Sequence, residues 1–185
     1  MGYPLSPGGC AADCVELLGR TGAAELADRT PRARFGLKGP GALDWFEPRV
    51  PVPEVNRIAE AGGLRIARLG PREVMVLAET DDAPVRALRS DWEAAPVGHS
   101  SWREEGWSWL RLTGEAALDV AARLTACDLR AGALAPNGIA QTRFAYQNAV
   151  LLRAGDGFDI LFDVAATAQV VRDVHSAMQR TEAAR

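Results

Sequence analysis

Four sets of residues in this 185-residue chain have types and spacings that could do chemistry. Cys10 and Cys14 stand one helical turn apart in "CAADCVELLG", which could offer two thiolates to one metal or form a redox pair. The same spacing continues through Leu17 and Leu18 as an apolar helical stripe, and neither His99 nor His175 stands in a ligand-like cluster with it. The reading is therefore a core or docking helix, with metal or redox chemistry as the alternative.

"GLKGPG" at 36–41 places Lys38 inside a glycine-rich turn, the composition of a phosphate cradle. It lacks phosphate-loop spacing, and Pro40 removes a backbone donor that an anion would use, so a plain turn is expected. His99 and His175 lie in unrelated segments with no serine and carboxylate arranged around them, and His175 follows Val174 in a largely apolar helical stretch. Asp156, Asp159 and Asp163 fall on or beside one strand without calcium-loop spacing and are expected to be solvated. No catalytic, cofactor-binding or metal-binding residue is assigned to the chain from its motifs.

The elements that would carry these residues come in duplicate. At an offset of 75, Phe35, Leu37, Gly39, Ala42, Leu43 and Asp44 fall on Leu110, Leu112, Gly114, Ala117, Leu118 and Asp119. Each copy reads as an alternating strand, a glycine turn, and a helix starting near Pro40 or Glu115. The offset extends "LRIARL" (64–69) onto "IAQTRF" (139–144) and "VMVL" (74–77) onto "AVLL" (149–152), giving each half a hairpin. The second half adds a strand at 157–163. Closing helices are striped by Val85, Leu88 and Trp92 in the first half, and by Val164, Ala168, Val171, Val174 and Met178 in the second. A further strand is possible at "VGHSSW".

This order predicts an α+β fold of two repeated ferredoxin-like units whose antiparallel sheets pack together. Residues 1–32 form an N-terminal segment with a short helix, 33–94 the first repeat and 95–185 the second. Strands 74–78 and 149–152, apolar at every position, are expected to be covered on both faces. Trp107 and Trp109 alternate with Leu110 and Leu112. With Trp102 they make an aromatic zone that reads either as inter-sheet core or as a docking surface for another chain.

The formal charge of −3, pI near 5.5 and 24% charged residues give no basic field for nucleic acid. No run has the roughly 18 apolar residues of a membrane span, and "MGYPLSPGG" lacks the charged and apolar regions of a secretory signal. "MGYPLS" fits the short myristoylation pattern, but Pro4 and Pro7 read as ordinary start-of-chain residues and acylation is not expected. Three cysteines, an odd number, read as reduced thiols, and the chain as cytoplasmic.

Taken in order, "RLGPREVMVLA", "LTGEAALDVAARLTACDL" and "AQTRFAYQNAVLLR" resemble the gamma (small) subunit of heterotetrameric sarcosine oxidase over about residues 33–178. More widely they resemble the folate-binding T-protein of the glycine cleavage system, whose halves are similarly repeated. The resemblance implies a non-catalytic subunit working with alpha, beta and delta partners. Such a complex oxidatively demethylates sarcosine or a related N-methyl amino acid to glycine, with one-carbon transfer to tetrahydrofolate or release of formaldehyde. It implies FAD, FMN, NAD, zinc and tetrahydrofolate on other subunits and none on this chain. The alternatives are a free-standing folate-binding one-carbon protein and an unrelated scaffold. Residues 1–32, with Cys10 and Cys14, lie outside the resemblance.

Overall fold

The computed structural model describes residues 12–100 and 103–185. Its strands are β1 (Gly19–Thr21), β2 (Ala24–Asp28), β3 (Arg34–Lys38), β4 (Arg57–Ala61), β5 (Leu64–Gly70), β6 (Glu73–Ala78), β7 (His99–Ser100), β8 (Trp107–Thr113), β9 (Ile139–Phe144), β10 (Gln147–Ala154) and β11 (Gly157–Asp163). The helices are α1 (Ala42–Phe46), α2 (Ala83–Ala94), α3 (Ala117–Ala122) and α4 (Thr167–Glu182), with single helical turns at Ala12–Val15 and Arg103–Gly106. The chain divides into two compact units, one made of residues 32–106 with 137–139, the other of the remainder.

In the first unit the sheet order is β4-β5-β6-β3-β7, antiparallel throughout. Strands β3 and β5 flank β6, the split arrangement of a ferredoxin-like unit, so the expected α+β class is met. Helix α1 is too short to be stable alone and has no side-chain cap; what holds it is the burial of Ala42, Trp45 and Phe46 at spacings of three and four. Phe35 on β3 gathers Trp45, Phe46 and Trp92, with ring centroids 6.0, 5.9 and 5.7 Å away. Such pairs add about 0.5–1.5 kcal/mol each beyond the area they bury. The Trp92 indole also donates to Val97 O at 2.8 Å, fixing the end of α2 to the segment that leads into β7.

The second unit has the sheet β1-β2-β8-β11-β10-β9. Its helix-side core takes Leu110 and Leu112 from β8, Phe158, Ile160 and Phe162 from β11, Val120 from α3, and Val170, Val171, Val174 and Met178 from α4. The N-terminal segment, expected as a piece of its own, contributes β1 and β2 to this sheet, with Leu26 paired to Leu112. Pattern reading gave it only a helix because strands of three and five residues offer too little alternation.

The duplication is real, but the offset of 75 holds only for strand, turn and first helix. Phe35 on β3 pairs with Val76 on β6, and the corresponding Leu110 on β8 pairs with Ile160 on β11. The counterpart of β6 is therefore β11, 84 residues on, and not the 149–152 segment, which lies one strand further out. Likewise β5 corresponds to β10, and β4, absent from the sequence reading, to the edge strand β9. The longer connection at 123–138 shifts the second copy by roughly one strand. Both β10 and β11 carry buried apolar runs, so an apolar run alone could not say which of them continues the repeat. The helices begin at Ala42 and Ala117, two residues after the expected starts.

Residues 74–78 and 149–152 are buried throughout, so these two stretches of strand are covered on both faces as expected. No helix among the described residues is long and apolar enough to cross a membrane.

Candidate functional site

Each residue singled out by type resolves into a structural role or lies outside the described residues, as Cys10 and Trp102 do. Cys14 is fully buried in the core of the second unit, packed with Leu17 and Leu18 at its edge. Among the described residues no three histidines, cysteines or acids are placed to hold a metal. His175 Nδ1 lies 3.2 Å from Leu17 O and its Nε2 3.0 Å from Gln179 Nε2, which ties α4 to the N-terminal turn.

The "GLKGPG" turn spends its donors internally. Gly39 N donates to Arg72 O at 2.9 Å, Ala42 N to Gly39 O at 3.3 Å, and Trp45 N to Gly41 O at 3.0 Å. Lys38 pairs with Glu73 at 3.5 Å. A dinucleotide or flavin phosphate would need those backbone groups, so the turn does not fit one. Its glycines serve geometry: Gly39 has φ 100°, and a Cβ there would meet His99 Cδ2 at 3.2 Å. Gly114, its counterpart at φ 101°, lets Ala23 O come within 2.4 Å of where a Cβ would stand. In both units the turn glycine admits the strand or approach to the strand beside it, β7 in one and β2 in the other.

The aspartates divide. Asp163 caps Ala165 N at 2.8 Å, and Asp156 accepts from Gly114 N at 3.2 Å, both exposed. Asp159, expected to be solvated, is instead 0% exposed. Its carboxylate accepts from Trp109 Nε1 at 2.8 Å and from Arg111 Nε and Nη2 at 2.7 and 2.9 Å. The alternation of β11 puts it on the face that Trp109 shares, and burial there demands a cationic partner. Trp109 is wholly buried, with the Arg29 guanidinium 5.3 Å from its ring centroid. Of the two readings of the tryptophan zone, core is the one Trp109 meets.

One accessible polar concavity among the described residues is a cleft of about 550 Å³ in the second unit. Arg123 reaches it from the end of α3, Arg143 from β9, and Asp173, Ser176 and Arg180 from one face of α4. Tyr146 stands at its rim in the two-residue turn between β9 and β10. The turn is pinned by Ala145 N donating to Leu124 O at 2.9 Å. The arginines are oriented by uncharged acceptors: Arg123 Nε on Thr181 Oγ1 at 2.9 Å, Arg143 Nη2 on Tyr146 O at 2.9 Å, and Arg180 Nη1 on Ser176 Oγ at 2.6 Å. Among the described residues none of the three forms an ion pair. Asp173 Oδ1 accepts from Gln169, whereas its Oδ2 is shielded from solvent with no hydrogen-bond partner. Sequence reasoning missed this site because its residues are single and come from three separated elements. The one local signal was a tyrosine in the "AYQN" turn.

The fold defines a class: a duplicated α+β scaffold with a ferredoxin-like unit and a second, N-terminally completed copy. A chain of the heterotetrameric sarcosine oxidase from Corynebacterium sp. U-96, solved with pyrrole 2-carboxylate, matches with a TM-score of 0.78 at 23% identity, over 97% of this chain and 97% of that one. Aminomethyltransferase T of the glycine cleavage system from Bartonella henselae matches with a TM-score of 0.62 at 17% identity, over 88% of this chain. This chain spans 47% of that enzyme. No protein-family model and no curated protein matches the sequence. At these identities the likeness establishes the fold, and it is the T-protein-like fold that the motifs led us to expect.

Proposed function

We propose that this chain is the small, non-catalytic subunit of a heterotetrameric sarcosine-oxidase-type complex. The observation that carries the reading is the extent of the similarity: the sarcosine oxidase chain is matched over 97% of this chain and 97% of its own length. The internal use of the glycine turn and the burial of Asp159 and Cys14 support a scaffolding role, since these reactive groups serve the fold. In this reading the alpha, beta and delta subunits hold FAD, FMN, NAD, zinc and tetrahydrofolate. The complex demethylates sarcosine or a related N-methyl amino acid, and the one-carbon unit passes to tetrahydrofolate or leaves as formaldehyde. Co-expression of the tagged chain with the products of its neighbouring genes tests this. A stable flavin-containing complex that forms glycine from sarcosine is expected; a chain that elutes alone and monomeric beside those products overturns the reading.

The match to aminomethyltransferase T favours a second reading, a free-standing folate-binding one-carbon protein. Calorimetry of the isolated chain with tetrahydrofolate separates the two. Saturable heat supports the second reading, and its absence removes it.

A further inference from the structure

The hairpin tip beside the basic cleft carries a cost that its counterpart avoids. In the first unit the β4–β5 turn is Gly62–Gly63, at φ 57° and 76°, where glycine adopts positive φ freely. The equivalent β9–β10 turn is Ala145–Tyr146, at φ 45° and 66°. Tyr146 is also 81% exposed, against 47% for Val15 and 39% for Val55, the other large apolar side chains exposed among the described residues. Ala145 is buried in the core of the second unit, so its conformation serves the fold. Tyr146 instead presents its ring to solvent from a positive-φ backbone, and strain of this kind gathers where a surface is used. Beside that ring lie three exposed guanidiniums without carboxylate partners against the single carboxylate of Asp173, on a chain whose net charge is −3.

From this we infer that the Arg123, Arg143, Tyr146 and Arg180 face is a docking site for an acidic segment of another polypeptide. Tyrosine and arginine are the residue types that dominate binding energy at protein interfaces, and guanidinium forks pair with carboxylates two bonds at a time. Because the arginines and Tyr146 are all exposed, the cleft suits an extended chain laid across it better than an enclosed small molecule. The inference goes beyond the proposed function, because it holds for whichever assembly the chain joins.

The test uses the isolated full chain and a random-peptide display library, followed by fluorescence anisotropy with the selected peptides. Enrichment of aspartate- and glutamate-bearing peptides is expected, with affinity that falls on adding salt and is lost in their glutamine counterparts. Arg143→Gln with Arg180→Gln should weaken binding by about 100-fold, roughly tenfold for each charge-assisted contact. Tyr146→Gly should weaken it about tenfold while leaving the thermal midpoint unchanged or higher, a combination that a purely structural tyrosine would not give. No enrichment, selection of uncharged peptides, or equal binding by the double arginine variant overturns the assignment. So does displacement of the peptide by free glutamate at equal concentration, which would mark a small-anion site.

Discussion

Arg111 and Asp159 are direct cross-strand partners on β8 and β11, and their ion pair is closed over by the indole of Trp109. Asp159 is wholly buried and the Arg111 side chain only 19% exposed, so neither charge is screened by water. Removing one partner takes from the other the ion pair that offsets its burial. Asp159→Ala is therefore expected to destabilise the protein by about 3–5 kcal/mol, whereas replacing both by apolar residues of similar volume, Arg111→Met with Asp159→Leu, should lose only about 1–3 kcal/mol, the cost of leaving the buried Trp109 Nε1 without its acceptor. Chemical denaturation of the four-member cycle measures both. Equal losses in the single and double variants would show that the pair does not act as a unit.

That pair also shows where sequence reading stops. Phe35 and Leu37, Leu110 and Leu112, and the glycines after them announced a strand and helix entry twice, because alternation and turn chemistry are local. The partner of a strand is not local. Nothing in "VMVL" or "AVLL" says which strand each lies beside, so the shift that makes Val76 and Ile160 equivalents became visible only through their pairing with Phe35 and Leu110. Asp159 was misread for the same reason, since its burial depends on Arg111, 48 residues earlier. The basic cleft was the least legible feature: Arg123, Arg143 and Arg180 share neither element nor period.

Cys14 makes a kinetic prediction. Its thiol is fully buried in the second unit's core, while Cys127 is only partly buried. Thiol alkylation under native conditions should modify Cys127 well before Cys14, and Cys14 should react only as the protein opens. Replacement of Cys14 by serine puts a hydroxyl in an apolar site and is expected to cost about 1–3 kcal/mol. Mass spectrometry of the time course reads the order directly; rapid labelling of Cys14 in the folded protein would contradict its place in the core.

Asp128 makes a pH prediction. Its carboxylate accepts from Arg130 Nε at 2.9 Å, Arg130 Nη2 at 2.7 Å and Arg130 N at 3.0 Å. The side-chain bonds from Arg130, followed by its backbone bond, lower the carboxyl to about 2 from an ordinary 3.8. Because the folded value is the lower one, this interaction favours the native state above the unfolded value and is lost as pH falls from about 4 to about 2. NMR titration of the Asp128 carboxyl should give a midpoint well below the ordinary 3.8. Arg130→Ala should return it to the ordinary range.

Two glycines at positive φ separate conformational cost from crowding. Gly62 has φ 57° and open space where a Cβ would stand, so Gly62→Ala should cost about 1–2 kcal/mol, the penalty of a left-handed alanine. Gly114 has φ 101°, and its Cβ would lie 2.4 Å from the backbone oxygen of Ala23, an approach that no side-chain rotation can relieve. Ala116 N donates to that same oxygen at 3.1 Å, so relief by moving Ala23 would also strain the entry to α3. Gly114→Ala should thus cost about 3 kcal/mol or more, the range in which core clashes and backbone strain combine. Thermal unfolding of the two variants side by side gives the comparison. Similar losses would mean that β2 can move away from the turn, and the close approach at Gly114 would then not be what requires glycine there.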